Sequence, residues 1–102
     1  MTDIGIKYPL NGNYPNGDDC RWTITRTKLF SLKFLSFDVE THDTCRYDYV
    51  QIEGEKYCNK EKTKDTIDPV GKSVLIRFRS DSSTTKKGFR LQVVTPRGMT
   101  LI

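Results

Sequence analysis

The sequence predicts an all-β domain, an antiparallel sandwich, and three observations carry that prediction. Apolar residues alternate with polar ones in several short stretches, the stretches are separated by Gly, Asn, Asp and Pro, and no window sustains the 3.6-residue period of an amphipathic helix. The 102 residues suffice for one core and are too few for two, so 1–102 is expected to form a single domain. Only 35% of the residues are hydrophobic, but five Phe, five Tyr and one Trp supply large packing units, which points to a small aromatic and β-branched core.

Taken in order, residues 5–19 are rich in Gly, Asn, Pro and Asp and read as a looped lead-in, with Tyr8-Pro9 and Tyr14-Pro15 forcing extended or turn conformations. Trp22 and Ile24 alternate with threonines in a first strand; Phe30, Leu32 and Phe34 alternate with Ser31 and Lys33 in a second. Phe37 and Val39 then continue in the opposite phase, and a one-residue slip inside a strand predicts a β-bulge near Leu35–Ser36. Further strands are expected over 47–53, ended by Glu53-Gly54, around Val74, Ile76 and Phe78, and around Phe89, Leu91 and Val93. The segment 59–65 tolerates helix but has no apolar face to bury. Trp22, Phe34, Phe37 and Phe89 are expected in the core, as are Tyr47 and Tyr49, which bracket Asp48 on a strand.

The three cysteines show none of the C-x-x-C spacing of zinc or thiol-redox sites. Cys45 and Cys58 flank a strand, a tight turn and a strand end, so their side chains can meet across a hairpin; a disulfide there closes a loop that contributes about 3 kcal/mol in the chain-entropy model. Joining the cysteines to His42 as a zinc site is a minor alternative, because only His42 and Cys45 are close in sequence. Cys20 is left over, and its mate is expected before Met1. The net charge of +4 decides little, no apolar run approaches a membrane-spanning length, and no basic run or stacking motif suggests nucleic acid. His42 lies in a loop with no nucleophile motif around it, so catalysis is not expected.

Read in order, Tyr8-Pro9, Tyr14-Pro15, Cys20-Arg21-Trp22, Phe34 with Phe37-Asp38-Val39-Glu40, Cys45-Arg46-Tyr47-Asp48, Tyr57-Cys58, Ser80-Asp81 and Gly88-Phe89 resemble the successive signatures of a CUB domain. The resemblance runs from about Tyr8 to Val94. It implies a two-sheet jelly-roll-like sandwich, a secreted or extracellular setting, and a protein-binding module excised from a larger secreted or cell-surface protein. The family's usual first cysteine is absent, which leaves Cys20 without its expected partner.

The resemblance also implies a Ca2+ site, with Glu40, Asp48 and Asp81 at the matching acidic positions, the carbonyl of Ser83 as a further ligand, and Tyr8 supporting the site by hydrogen bonding. Calcium takes six to eight oxygen ligands in flexible geometry, so carboxylates from separate loops suit it. Three carboxylates and one divalent ion leave a net negative charge that suits a partner's Lys or Arg. Lys86 and Lys87, a few residues after Asp81, would oppose such a cation if they faced the metal. The alternative is calcium-independent binding of a glycosaminoglycan or other polyanion through Lys60, Lys62, Lys64, Lys86, Lys87, Arg90 and Arg97, or an inert spacer.

Overall fold

A computed structural model of the chain describes residues 5–95, with the backbone alone at 69–70. Six strands are present: β1 (Gly5–Tyr8), β2 (Asp19–Asp38), β3 (Tyr49–Ile52), β4 (Glu55–Tyr57), β5 (Ile67–Arg79) and β6 (Gly88–Val94). All pairings are antiparallel, in the hydrogen-bonded order β1-β6-β2-β5-β3-β4.

This one hydrogen-bonded order forms two layers because β2 belongs to both. Its first half runs in continuous register with β5, from Asp19↔Arg79 to Thr25↔Ser73. Its second half pairs with β6, from Ser31↔Val94 to Asp38↔Gly88. Between them the register with β5 shifts at Phe30, which lies opposite Gly71, a glycine at φ +112. The two stretches read as separate strands from their alternation are therefore one bent strand, and residues 26–29 at the bend are exposed. The bend lays β1, β6 and the second half of β2 over the first half of β2, β5, β3 and β4.

Aromatic rings from the two layers fill the space between them. Phe78 of β5 lies 5.2 Å from Tyr8 of β1 and 6.0 Å from Phe89 of β6, and Trp22 packs edge-on against Phe89 at 5.8 Å. Toward the other side Phe34 meets Tyr57 at 5.6 Å. Each fully buried ring contributes roughly 1.5–3 kcal/mol through the apolar area it removes from water. Phe34, Phe37 and Phe89 are buried as the alternation requires, and Trp22 is half-buried against them.

The slip in phase near Leu35 is a bulge: the ladder with β6 shifts between Phe34 and Ser36, so Leu35 and Ser36 both face solvent while Phe34 and Phe37 both face the core. Residues 5–8 depart from the looped lead-in expected of them. They form β1 because Ile6 and Tyr8 turn toward the core while the backbone pairs with the edge of β6, and Gly5 lets it come so close that an added Cβ would sit 2.2 Å from the Leu91 carbonyl. The strand expected over 47–53 begins only at Tyr49, since Tyr47 and Asp48 form a bend. Tyr47 is accordingly 43% exposed, edge-on to His42, and is not a core residue; the period-two rule applies only once the chain is extended. Segment 59–65 folds as consecutive turns, with Lys62 N–H donating to the Asn59 carbonyl and Thr63 N–H to that of Lys60.

Cys45 and Cys58 are joined by a disulfide with Cα atoms 5.6 Å apart, fastening the loop before β3 to the end of β4 and excluding those sulfurs from a zinc site. Cys20 is a half-buried thiol whose Sγ–H donates to Asp18 Oδ2 at 3.4 Å. Burial first, and the Asp18 carboxylate second, push its pKa up to about 11, so it is protonated and weakly nucleophilic at neutral pH. Phe78 on β5 packs against Tyr8 and Phe89 of the opposite layer and against Tyr14, so Phe78→Ala is expected to cost about 3–5 kcal/mol in denaturant unfolding. A loss below about 1 kcal/mol would show that the two layers do not share this core.

Candidate metal centre

Strand direction brings several chain ends to one end of the sandwich. In the register, Asp38 at the end of β2 faces Gly88 at the start of β6, and Tyr49 at the start of β3 faces Arg79 at the end of β5. The residues just beyond these ends are Glu40, Asp48 and Asp81. Each offers a carboxylate oxygen, and the three oxygens lie within 4.8 Å of one another.

Asp48 is the anchor. It is fully buried, and both of its oxygens are engaged: Oδ1 accepts the N–H of Asp81 at 2.8 Å and Oδ2 accepts the hydroxyl of Tyr14 at 2.5 Å. The same Tyr14 hydroxyl accepts the backbone N–H of Glu40 at 3.2 Å. One phenol therefore ties together the two loops that carry Glu40 and Asp48. Tyr14 is held in turn by its own N–H, which donates to the Lys86 carbonyl at 3.1 Å, and by its ring, edge-on to Phe78 at 4.7 Å. Ser80 locks the same loops from below: its Oγ donates to the Pro15 carbonyl at 2.7 Å and accepts the Asp18 N–H at 2.8 Å.

Hydrogen-bonding support was expected of Tyr8, and Tyr14 supplies it. The Tyr8 ring lies among Trp22, Phe78 and Phe89, on a strand rather than in the loop that faces the acids. The sequence contains two Tyr-Pro dipeptides, and nothing local tells which tyrosine reaches the carboxylates. Ser83 is exposed, and its N–H donates to Asp81 Oδ1 at 3.2 Å, which orients that carboxylate within the loop. In the same loop Thr84 adopts φ +63, a left-handed conformation that a β-branched residue rarely holds unless its surroundings impose it.

The acids are electrostatically frustrated without a counter-charge. Glu40 Oε1 is buried and finds no hydrogen-bond partner among the described residues. Desolvation, followed by repulsion from Asp81 and Asp48, raises the Glu40 pKa. Burial also raises that of Asp48, although the Tyr14 hydroxyl and the Asp81 N–H favour its charged form. Burial and the Asp48 carboxylate in turn push the Tyr14 phenol well above its ordinary range, so it stays protonated and donates. The arrangement fits a hard divalent cation: oxygens about 2.3–2.6 Å from one calcium ion lie up to about 5 Å from each other, and a buried carboxylate oxygen without a donor is the kind of group such an ion satisfies.

Of the basic residues expected to meet a polyanion, Lys60, Lys64 and Lys87 line one groove, while Lys86 and Arg90 do not line it. Lys86 lines a cleft of about 550 Å³ together with Glu40 and Lys60, whereas Lys87 lines a different cavity and Arg90 a third. Lys62 is paired with Glu55, and Lys64 with Glu61 at 3.0 Å. Arg97 lies outside the described residues.

Fold and site together make this a β-sandwich whose loops gather three acids at one end. The CUB domain family profile matches residues 5–93, so the chain belongs to the CUB family of protein-interaction modules. It is 33% identical to human Tolloid-like protein 1 over 93 residues, 80% of this chain and 9% of that protein. It is 32% identical to cubilin of Rattus norvegicus over 99 residues, 86% of this chain and 3% of that protein. The chain thus spans under a tenth of these relatives. Among solved structures it resembles the MASP-1 CUB2 domain bound to Ca2+, with 32% identity and a TM-score of 0.75 over 89% of this chain and 90% of that one. It also resembles part of the full extracellular region of zebrafish Gpr126/Adgrg6, with 28% identity and a TM-score of 0.79 over 92% of this chain and 14% of that one. No helix among the described residues is long and apolar enough to cross a membrane.

Removing only the bridging hydroxyl isolates its role. Tyr14→Phe keeps the ring on Phe78 but leaves the buried Asp48 Oδ2 and the Glu40 N–H without their shared partner, and is expected to cost about 1–3 kcal/mol in chemical denaturation. Tyr8→Phe is expected to cost less than about 0.5 kcal/mol in the same measurement.

Proposed function

We propose that this domain is a calcium-dependent extracellular protein-binding module, in which Glu40, Asp48 and Asp81 hold a Ca2+ ion and present a residual negative charge to a Lys or Arg of the partner. The observation that carries the reading is the convergence of three carboxylate oxygens within 4.8 Å, one residue of the three having a buried oxygen without a partner. The likeness to a domain solved with Ca2+ supports the choice of ion.

The chain's own residues account for both halves of the mechanism. Asp48, held by Tyr14 and the Asp81 N–H, keeps its carboxylate fixed, so little order has to be created when the ion arrives. Glu40, Asp48 and Asp81 would hold the ion between the end of β2 and the loop after β5, and its double positive charge would offset the repulsion that raises the Glu40 and Asp48 pKa values. The carbonyl of Ser83, close to Asp81 in that loop, and water complete the shell in this reading. A partner's ammonium or guanidinium then makes charge-assisted hydrogen bonds to oxygens already fixed by the metal. Lys86 and Lys60, beside Glu40, repel a bare cation approaching from their side and so restrict the direction from which it can enter.

Calcium at roughly a hundred times its Kd should raise the melting temperature by about 10 °C over the value in chelator, because binding to the folded state alone stabilises it by mass action. Asp81→Ala should abolish that difference, and an unchanged difference in the variant would refute the ligand set.

The effect of pH follows from the raised carboxyl groups. In chelator, Glu40 and Asp48 hold protons more tightly folded than unfolded, so their penalty is present above their folded pKa values and is relieved as pH falls through them toward the ordinary carboxylate range. Calcium needs both groups ionised, so its stabilisation weakens over the same fall. The gap between calcium and chelator melts should therefore shrink steadily from neutral pH to about pH 5. A gap that widened on acidification would contradict the assignment.

A further inference from the structure

We infer that the outer surface at the β2 bulge is a second binding site, distinct from the acidic cluster, for an acidic peptide segment that carries an apolar side chain. The bulge between Phe34 and Ser36 makes a groove of about 950 Å³. Four exposed lysines line it, Lys7 from β1, Lys60 and Lys64 from the turns after β4, and Lys87 just before β6. Asp38 is the one acidic residue among those lining it, and its Oδ2 already accepts the backbone N–H of Lys87 at 3.2 Å. Lys64 is engaged only in an exposed pair with Glu61, which a competing carboxylate can displace.

The second half of the argument is apolar. Leu10 and Leu35 line the same groove and are 75% and 44% exposed. Leu35 is outside because the bulge adds a residue to β2, and its outward position follows from the same irregularity that forms the groove. Leucines ringed by lysines favour a ligand that offers carboxylates to the rim and an apolar group to the floor. A sulfated saccharide satisfies the lysines and leaves both leucines in water. An acidic peptide with a central leucine covers both. Lys60 lines this groove and also the cleft beside Glu40, so a single extended partner is able to contact both sites.

The test is an amide NMR titration of the isotope-labelled chain with the peptide Asp-Glu-Leu-Glu-Asp, run in calcium and again in chelator, so that failure of the calcium reading leaves this result intact. Saturable shifts should centre on Lys7, Leu10, Leu35 and Lys87 in both conditions. Replacing the peptide's leucine by alanine should weaken binding about fivefold, and reversing two rim charges with Lys60→Glu and Lys87→Glu about tenfold, the amide spectrum reporting that the variant remains folded. A fully sulfated hexasaccharide that bound the groove as tightly as the peptide would overturn the proposal in favour of a polyanion site. So would indifference to the leucine, shifts confined to other surfaces, or no saturation at millimolar peptide.

Discussion

A fully buried carboxylate, Asp48, governs one end of this sandwich. Burying a charge is tolerated only when it is hydrogen-bonded or paired, and Asp48 meets that requirement by recruiting a phenol from the lead-in loop and a backbone N–H from the loop after β5. Segments far apart in sequence are thereby held to one point. The same phenol takes the Glu40 N–H, so the position of the second acid follows from the burial of the first. What hydrogen bonding cannot supply is neutralisation: the buried Glu40 oxygen and the mutual repulsion of the acids leave a deficit of positive charge at the place where the loops meet.

The rest of the fold delivers the loops to that point. A twenty-residue strand that bends at its middle contributes to both layers, and this forces the end of β2 and the start of β6 alongside the end of β5 and the start of β3. The rings of Tyr8, Trp22, Phe78 and Phe89 hold the two layers together. At the far side of the same loops the Cys45–Cys58 disulfide fastens the segment leading to Asp48. The three acids thus meet at a point fastened by hydrogen bonds and a disulfide, with their mutual repulsion unrelieved by any cationic side chain paired to them among the described residues.

The bulge links this end of the domain to its outer face. An extra residue in β2 keeps Phe34 and Phe37 in the core on opposite phases and expels Leu35, so the strand enters the acidic loop correctly aimed while a leucine is left outside among lysines. A single backbone irregularity thus shapes both the anionic end and the cationic groove, two surfaces of opposite charge that share Lys60 on their borders.

Much of this was legible in the residues alone. Alternation placed Phe30, Leu32, Phe34, Val74, Ile76, Phe78, Phe89 and Leu91 inside, because strand side chains must point to opposite faces, and the change of phase at Phe37 located the bulge. Cys45 and Cys58 were readable as a pair because they flank a hairpin. Three matters were decided only by tertiary structure. Residues 5–8, at the head of the Gly-, Asn- and Pro-rich stretch 5–19, became a strand because β6 offered an edge, Tyr47 turned outward because the chain bends before β3, and Tyr14 rather than Tyr8 met the acids because its loop is bonded to residues 80–86. Periodicity is a property of neighbouring residues and survives in the sequence; which hydroxyl reaches which carboxylate depends on contacts between residues more than thirty positions apart, and these exist only once the layers have closed.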